Sequence, residues 1–172
     1  SSQYLKYLDD QFTFVENLSE RIQRQLTVRL YQTDYGWEQE ARWNDRFPNI
    51  KLDSGKDDIN LLLKESRICI CNYNATTYLE SFSMNIPTVI FWNPMYWELR
   101  ESAKPYFASL KDVGIFHETP ESAAQHIISI WDDVEYWWSS KPVYKAVQKF
   151  CGRFSYTSGE PLKCLYNELQ YK

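Results

Sequence analysis

Between Tyr4 and Gln25 the apolar residues Leu5, Leu8, Phe12, Val15, Leu18 and Ile22 recur every three or four positions, which lays one stripe along a helix. Leu26 to Tyr31, LTVRLY, changes the pattern: its β-branched and aromatic residues predict a short strand, followed by the loop QTDYG. Trp37 to Phe47 returns to helical spacing until Pro48 ends it, NIKLD predicts a brief strand, and DDINLLLKES the next helix. Arg67 to Cys71, RICIC, and Pro87 to Phe91, PTVIF, are short apolar runs that read as strands buried on both faces. The helical TTYLESFSM between them completes a βαβ unit, whose strands run parallel.

Further on, GIFH predicts a third strand and TPESAAQHIISIWDD a helix, with Thr119 as N-cap and Pro120 at the first helical position. From Val134 to Lys172 the pattern is helical, with Pro142 and Pro161 near helix starts and Gly152 and Gly159 as breaks. Strands alternating with helices predict an α/β fold, a doubly wound parallel sheet with helices on both faces. A chain of 172 residues holds one such domain, over residues 1–172 with C-terminal helices from about 134, and shows no repeat or domain-scale linker.

Charge narrows the partners. Lys and Arg number 19 against 23 Asp and Glu, a formal charge of -4, in mixed order without a basic stripe, which argues against nucleic acid. No run approaches the roughly 18 apolar residues of a membrane span, and no basic region with an apolar core opens the chain, so a soluble, cytoplasmic protein is expected. Cys69 and Cys71 stand two apart on a strand, unlike a C-x-x-C metal knuckle, and read as buried reduced thiols. The sequons at Asn17 and Asn74 would matter only after secretion and are read as chance. No Asp, Glu and His cluster has metal-binding spacing, and neither metal nor cofactor is expected. The 7 Trp, 13 Tyr and 9 Phe fill a core or an interface, or serve sugar stacking.

Candidate chemistry gathers where open parallel sheets bind ligands, beyond the carboxyl ends of the strands. The loop Asn72 to Thr77 lies there, and its amides and hydroxyls form a neutral cradle for phosphate. Thr77 and Glu80 equally fit a T-x-x-E capping box, so both readings stay open. NYNATT contains no glycine, which removes the dinucleotide fingerprint and the P-loop. Arg29, near the end of its strand, needs an anion: a ligand phosphate or carboxylate, or an internal Asp or Glu. His117 should emerge at the same edge, to donate to a leaving phosphate or to cap the next loop, whereas His126 sits among Ala and Ile on a helix and is no candidate. In the loop after the first strand, Asp34, Tyr35 and Trp37 either reach the cleft or serve as helix cap and core packing.

T-T-x-x-E at Thr76 to Glu80, N-I-P-T at Asn85 to Thr88 and G-I-x-H-x-T-P at Gly114 to Pro120 are together far more specific than any one of them. With VRLYQTDYGW and the later YWW, they make the chain resemble, over residues 4 to 156, the C-terminal portion of a family of surface-carbohydrate biosynthesis transferases similar to GT-B glycosyltransferases. The resemblance implies a Rossmann-like domain that binds a nucleotide-activated sugar, uridine- or cytidine-linked, without a metal. It raises Asn74, Thr76, Thr77 and Glu80 to sugar-donor-site residues, beside Arg29 and His117. It also implies a partner domain, absent here, that supplies the glycan or lipid-linked acceptor site and often the catalytic base. The chain is then expected to be an excised piece, inactive alone, with peripheral membrane association left open. The final helices of such folds cross back to the other domain, so Trp131 and Tyr136 to Trp138 are expected to leave part of an interdomain face. Two alternatives stand: a nucleotide-sugar epimerase or CDP-alcohol phosphotransferase-like domain, and a non-catalytic protein interaction module.

Overall fold

The structure, a computed structural model, describes residues 2–156 and 159–170. In chain order the elements are α1 (Ser2–Glu16), α2 (Glu20–Gln23), β1 (Thr27–Arg29), α3 (Gln39–Arg46), β2 (Lys51–Asp53), α4 (Ile59–Glu65), β3 (Cys69–Cys71) and α5 (Thr77–Ser83). There follow β4 (Thr88–Phe91), α6 (Lys104–Asp112), β5 (Phe116–His117), α7 (Pro120–Ile130), a 3₁₀ turn (Trp131–Asp133), α8 (Val134–Ser139), α9 (Lys141–Phe154) and α10 (Pro161–Gln170).

Among the described residues every strand pairing is parallel, as the βαβ pattern requires. Cys69 pairs with Thr88 and Cys71 with Ile90, and β5 joins the other side of β4 to give the order β3-β4-β5. β1 and β2 form a separate two-stranded sheet, so the expected single sheet is instead two hydrogen-bonded units among the described residues. They are joined by side chains: Val28 and Leu52 pack against the same apolar cluster as Val89 and Phe91.

β4 shows why continuous apolar runs need cover on both faces. Val89 and Phe91 point into a cluster with Phe14 and Val15 of α1 and Ala123, Ala124 and Ile127 of α7, where the Phe14 and Phe91 rings stack at 5.0 Å. Ile90 and the following Trp92 point the other way, among Tyr78 and Phe82 of α5, Leu110 of α6 and Phe150 of α9. The N-terminus of α7 forms as its sequence predicts: Thr119 Oγ1 accepts from the Ser122 backbone N–H at 3.2 Å and Pro120 occupies the first turn.

The C-terminal segment departs from expectation at Gly152. Gly152 lies inside α9 and does not break it, because a single glycine near a helix end costs less than the packing of Val143, Ala146, Val147 and Phe150 contributes. Much of the aromatic surface at Trp131 and Tyr136 to Trp138 docks within the chain. Trp138 Nε1 donates to Asn85 Oδ1 at 3.1 Å, Trp137 Nε1 to the Val113 carbonyl at 3.1 Å, and Trp131 joins the core, leaving Tyr136 as the exposed ring of that group. No helix among the described residues is long and apolar enough to cross a membrane.

Candidate functional site

Parallel pairing places the carboxyl ends of β3, β4 and β5 at one edge, and the loop leaving β3 starts the candidate site there. Two tyrosines hold the loop. Tyr7 of α1 donates its hydroxyl to Asn72 Oδ1 at 3.4 Å, and Tyr78, buried in α5, donates to Asn74 Oδ1 at 2.8 Å. Burial, then the Cys71 thiol beneath, pushes the Tyr78 hydroxyl up to about 12, so it remains a donor. Cys69 and Cys71 are free, buried thiols with sulfurs 3.7 Å apart. Cys71 stays protonated, because its hydrogen bond with Cys69, burial, and the charges of Cys69 and Glu80 all push it up.

The capping box does not form. Thr76 precedes α5 with helical φ and ψ of -81° and -23° rather than extended ones, and its side chain makes no cap bond. Glu80 then falls one residue beyond the position from which a glutamate reaches back to the helix start. As a result Thr76 and Glu80 are exposed and Thr77 half-buried on one helical face, and among the described residues none of the three side chains has a hydrogen-bond or ion-pair partner.

Arg29 and His117 both take internal partners. Arg29 Nη1 donates to Asp53 Oδ2 at 2.6 Å, and Nη2 to the carbonyls of Gly55 and Asp57 at 2.9 and 2.7 Å. His117 turns back from the edge: Nε2 lies 3.0 Å from the Gly114 carbonyl and Nδ1 2.7 Å from Ser122 Oγ. A carbonyl only accepts, so Nε2 carries the proton and Nδ1 accepts from the serine hydroxyl. Burial lowers the His117 pKa and keeps the ring neutral. His126 lies tilted beside it, at a centroid distance of 5.3 Å, and burial, then the neighbouring His117, lowers it to about 4.

A row of aromatic rings crosses the same edge. Tyr31 meets Tyr35 at 5.9 Å, Tyr35 meets Trp37 at 5.6 Å, and Trp37 stacks on Tyr4 at 4.1 Å. The row continues through Tyr7 to Tyr73 and on to Trp97, linking the segments that follow β1, β3 and β4. Asp34 caps the entry to α3 as expected, accepting from the backbone N–H groups of Trp37, Glu38 and Gln39. Trp37 packs on Tyr4 but keeps 36 % of its surface exposed. The sequence reading did not pick out Tyr4, Tyr7, Tyr73 or Trp97. Tyr4 and Tyr7 are three apart on one face of α1, a spacing also usual for core packing.

Two further donors are left over where β3 and β4 end: Asn72 Nδ2 and Trp92 Nε1 are buried without a hydrogen-bond partner among the described residues. Two concavities lie away from this loop. One of about 260 Å³ opens between Phe82, Asn85, Trp138 and Tyr144, and one of about 440 Å³ beside Lys6, Asp9 and Arg46.

Comparison with curated proteins and with solved structures gave no significant match. A family model described as LIC12162 family transferase matches residues 1–169. Because that match spans nearly the whole sequence, the chain belongs to the LIC12162 family of transferases.

Proposed function

We propose that this chain is the part of a glycosyltransferase of surface-polysaccharide biosynthesis that binds a nucleotide-activated sugar donor. The observation that carries the reading is the unpartnered face of Thr76, Thr77 and Glu80, displayed at the carboxyl end of β3 on a loop pinned through Asn74. Threonine hydroxyls accept and donate to phosphate or ribose oxygens, and a free carboxylate accepts from ribose or sugar hydroxyls. Membership in a transferase family supports transfer chemistry. The same reading takes the two parallel sheets, which share a core cluster, as parts of one Rossmann-like doubly wound sheet. It keeps Asn74, Thr76, Thr77 and Glu80 in the donor set and leaves Arg29 and His117 as supports, since their polar groups are already engaged. A second domain supplies the rest of the cleft and the catalytic base.

Titration of the isotopically labelled chain with uridine and cytidine mono- and diphosphates tests this. A cleft completed only by the second domain predicts Kd on the order of 0.1 to 1 mM for this chain, with amide shifts concentrated at Asn74 to Glu80. The absence of any such shift at millimolar nucleotide would end the proposal.

A further inference from the structure

The loop between β1 and α3 displays rings to water and is braced from beneath. Tyr31 and Tyr35 are each 61 % exposed, and Trp37 is backed on one face by the Tyr4 ring. Gln39, a buried amide, donates through Nε2 to the Tyr31 carbonyl at 2.8 Å and accepts from the Tyr31 N–H at 3.1 Å, as a neighbouring strand would. Asp34 holds the other end through the N–H groups of Trp37, Glu38 and Gln39. Between these braces the backbone is left-handed at Gly36, φ 80°, and again at Glu38, φ 52°, where a side chain makes that conformation costly. A core would bury these rings; here two hydrogen-bonded braces and a strained residue fix rings that stay wet. Rings held rigid before binding reduce the ordering cost of association.

We infer that Tyr31, Tyr35 and Trp37 form a docking platform for a neutral saccharide, whose sugar rings lie with their C–H faces on the aromatic faces and their hydroxyls against the polar fringe. Charge decides the ligand class. Asp34, Glu38 and Glu40 lie in this segment, which holds no Lys or Arg before Arg42, and Arg42 Nε already donates to the Trp37 carbonyl at 2.8 Å. Three carboxylates against one guanidinium leave the segment net negative, which disfavours phosphates and acidic glycans. The inference rests on the proposed function for the reaction it serves, and it moves glycan contact onto this chain in place of the partner domain alone.

The test is a titration with cellohexaose, maltohexaose, xylohexaose and mannohexaose, followed by tryptophan fluorescence and by the indole N–H signal of Trp37. At least one should shift that signal at millimolar concentration. Tyr35→Ala should weaken the binding about fivefold or more with the melting temperature unchanged, and Tyr31→Ala should do likewise. Tyr136→Ala, at an exposed ring outside the platform, should leave it unchanged. Silence of the Trp37 signal with all four sugars would overturn the proposal, as would equal affinity in Tyr35→Ala. Self-association in sedimentation that Tyr35→Ala abolishes would also overturn it, by showing that a second copy covers the platform. Failure of the nucleotide titration alone would remove the donor-site reading and leave this one standing.

Discussion

The Tyr78 hydroxyl donates to Asn74 Oδ1 at 2.8 Å, so a ring anchored between the Phe82 and Phe150 side chains fixes the loop above it. Removing that hydroxyl while keeping the ring isolates the bond. Tyr78→Phe should lower unfolding free energy by about 1 kcal/mol, because water can reach the half-buried Asn74. Amide exchange at Asn74 to Thr77 should quicken more than elsewhere.

Arg29 and Asp53 supply the counterpart in the other sheet. The Asp53 side chain is 5 % exposed and its carboxylate faces the Arg29 guanidinium. Arg29→Met leaves a buried charge without its partner and should cost about 2 to 4 kcal/mol in urea unfolding, with part of the loss recovered in Arg29→Met/Asp53→Leu. A variant that kept its stability but lost nucleotide binding would instead put Arg29 in the donor site.

Stability should fall with acid through His126. Burial, then the neighbouring His117, lowers its folded pKa to about 4, against an unfolded value of about 6.5. Between these values the unfolded chain binds more protons, so stability is fully present above about pH 6.5 and is lost progressively down to about pH 4. Solvent access to the half-buried ring reduces the effect to about 1 to 2 kcal/mol. Carboxylates titrate in the lower part of this range, so the check is a comparison: His126→Phe should flatten the slope between pH 6.5 and 5 in thermal melts.

Two glycines should answer oppositely to alanine. Gly114 has φ 77°, and a β-carbon there would clash with the His126 ring, so Gly114→Ala should destabilise by about 2 kcal/mol or more. Gly152 sits in α9 with nothing within 4 Å of an added β-carbon, so Gly152→Ala should stabilise by about 0.4 to 1 kcal/mol. Chemical denaturation of both variants checks the pair.

What was legible in the sequence was what local pattern determines. RICIC and PTVIF announced paired parallel strands because full burial on both faces leaves no polar positions to break the run, and Thr119 with Pro120 announced the start of α7. The capping box misled by one residue: T-x-x-E matches at Thr77, whereas the helix starts so that Thr77 is already inside it. Partner choice was the other gap. Whether Arg29 meets a ligand or Asp53, and whether the Trp137 and Trp138 indoles face a missing domain or Val113 and Asn85, depends on residues 24 or more positions away. The ring row was hidden for the same reason, since Tyr4, Trp37, Tyr73 and Trp97 come together only through the fold.

The central claim, that the free face of α5 holds a nucleotide-activated sugar, turns on Glu80. Glu80→Gln nearly preserves size and removes the charge that accepts ribose or sugar hydroxyls, and among the described residues no hydrogen bond or ion pair depends on that carboxylate. The decisive measurement is calorimetric titration of wild type and Glu80→Gln with uridine and cytidine diphosphate sugars, beside their melting temperatures. The account predicts weak binding by wild type, a loss of about tenfold in the variant, and equal melting temperatures. Binding that is equal in the two proteins, or absent from both, would contradict it.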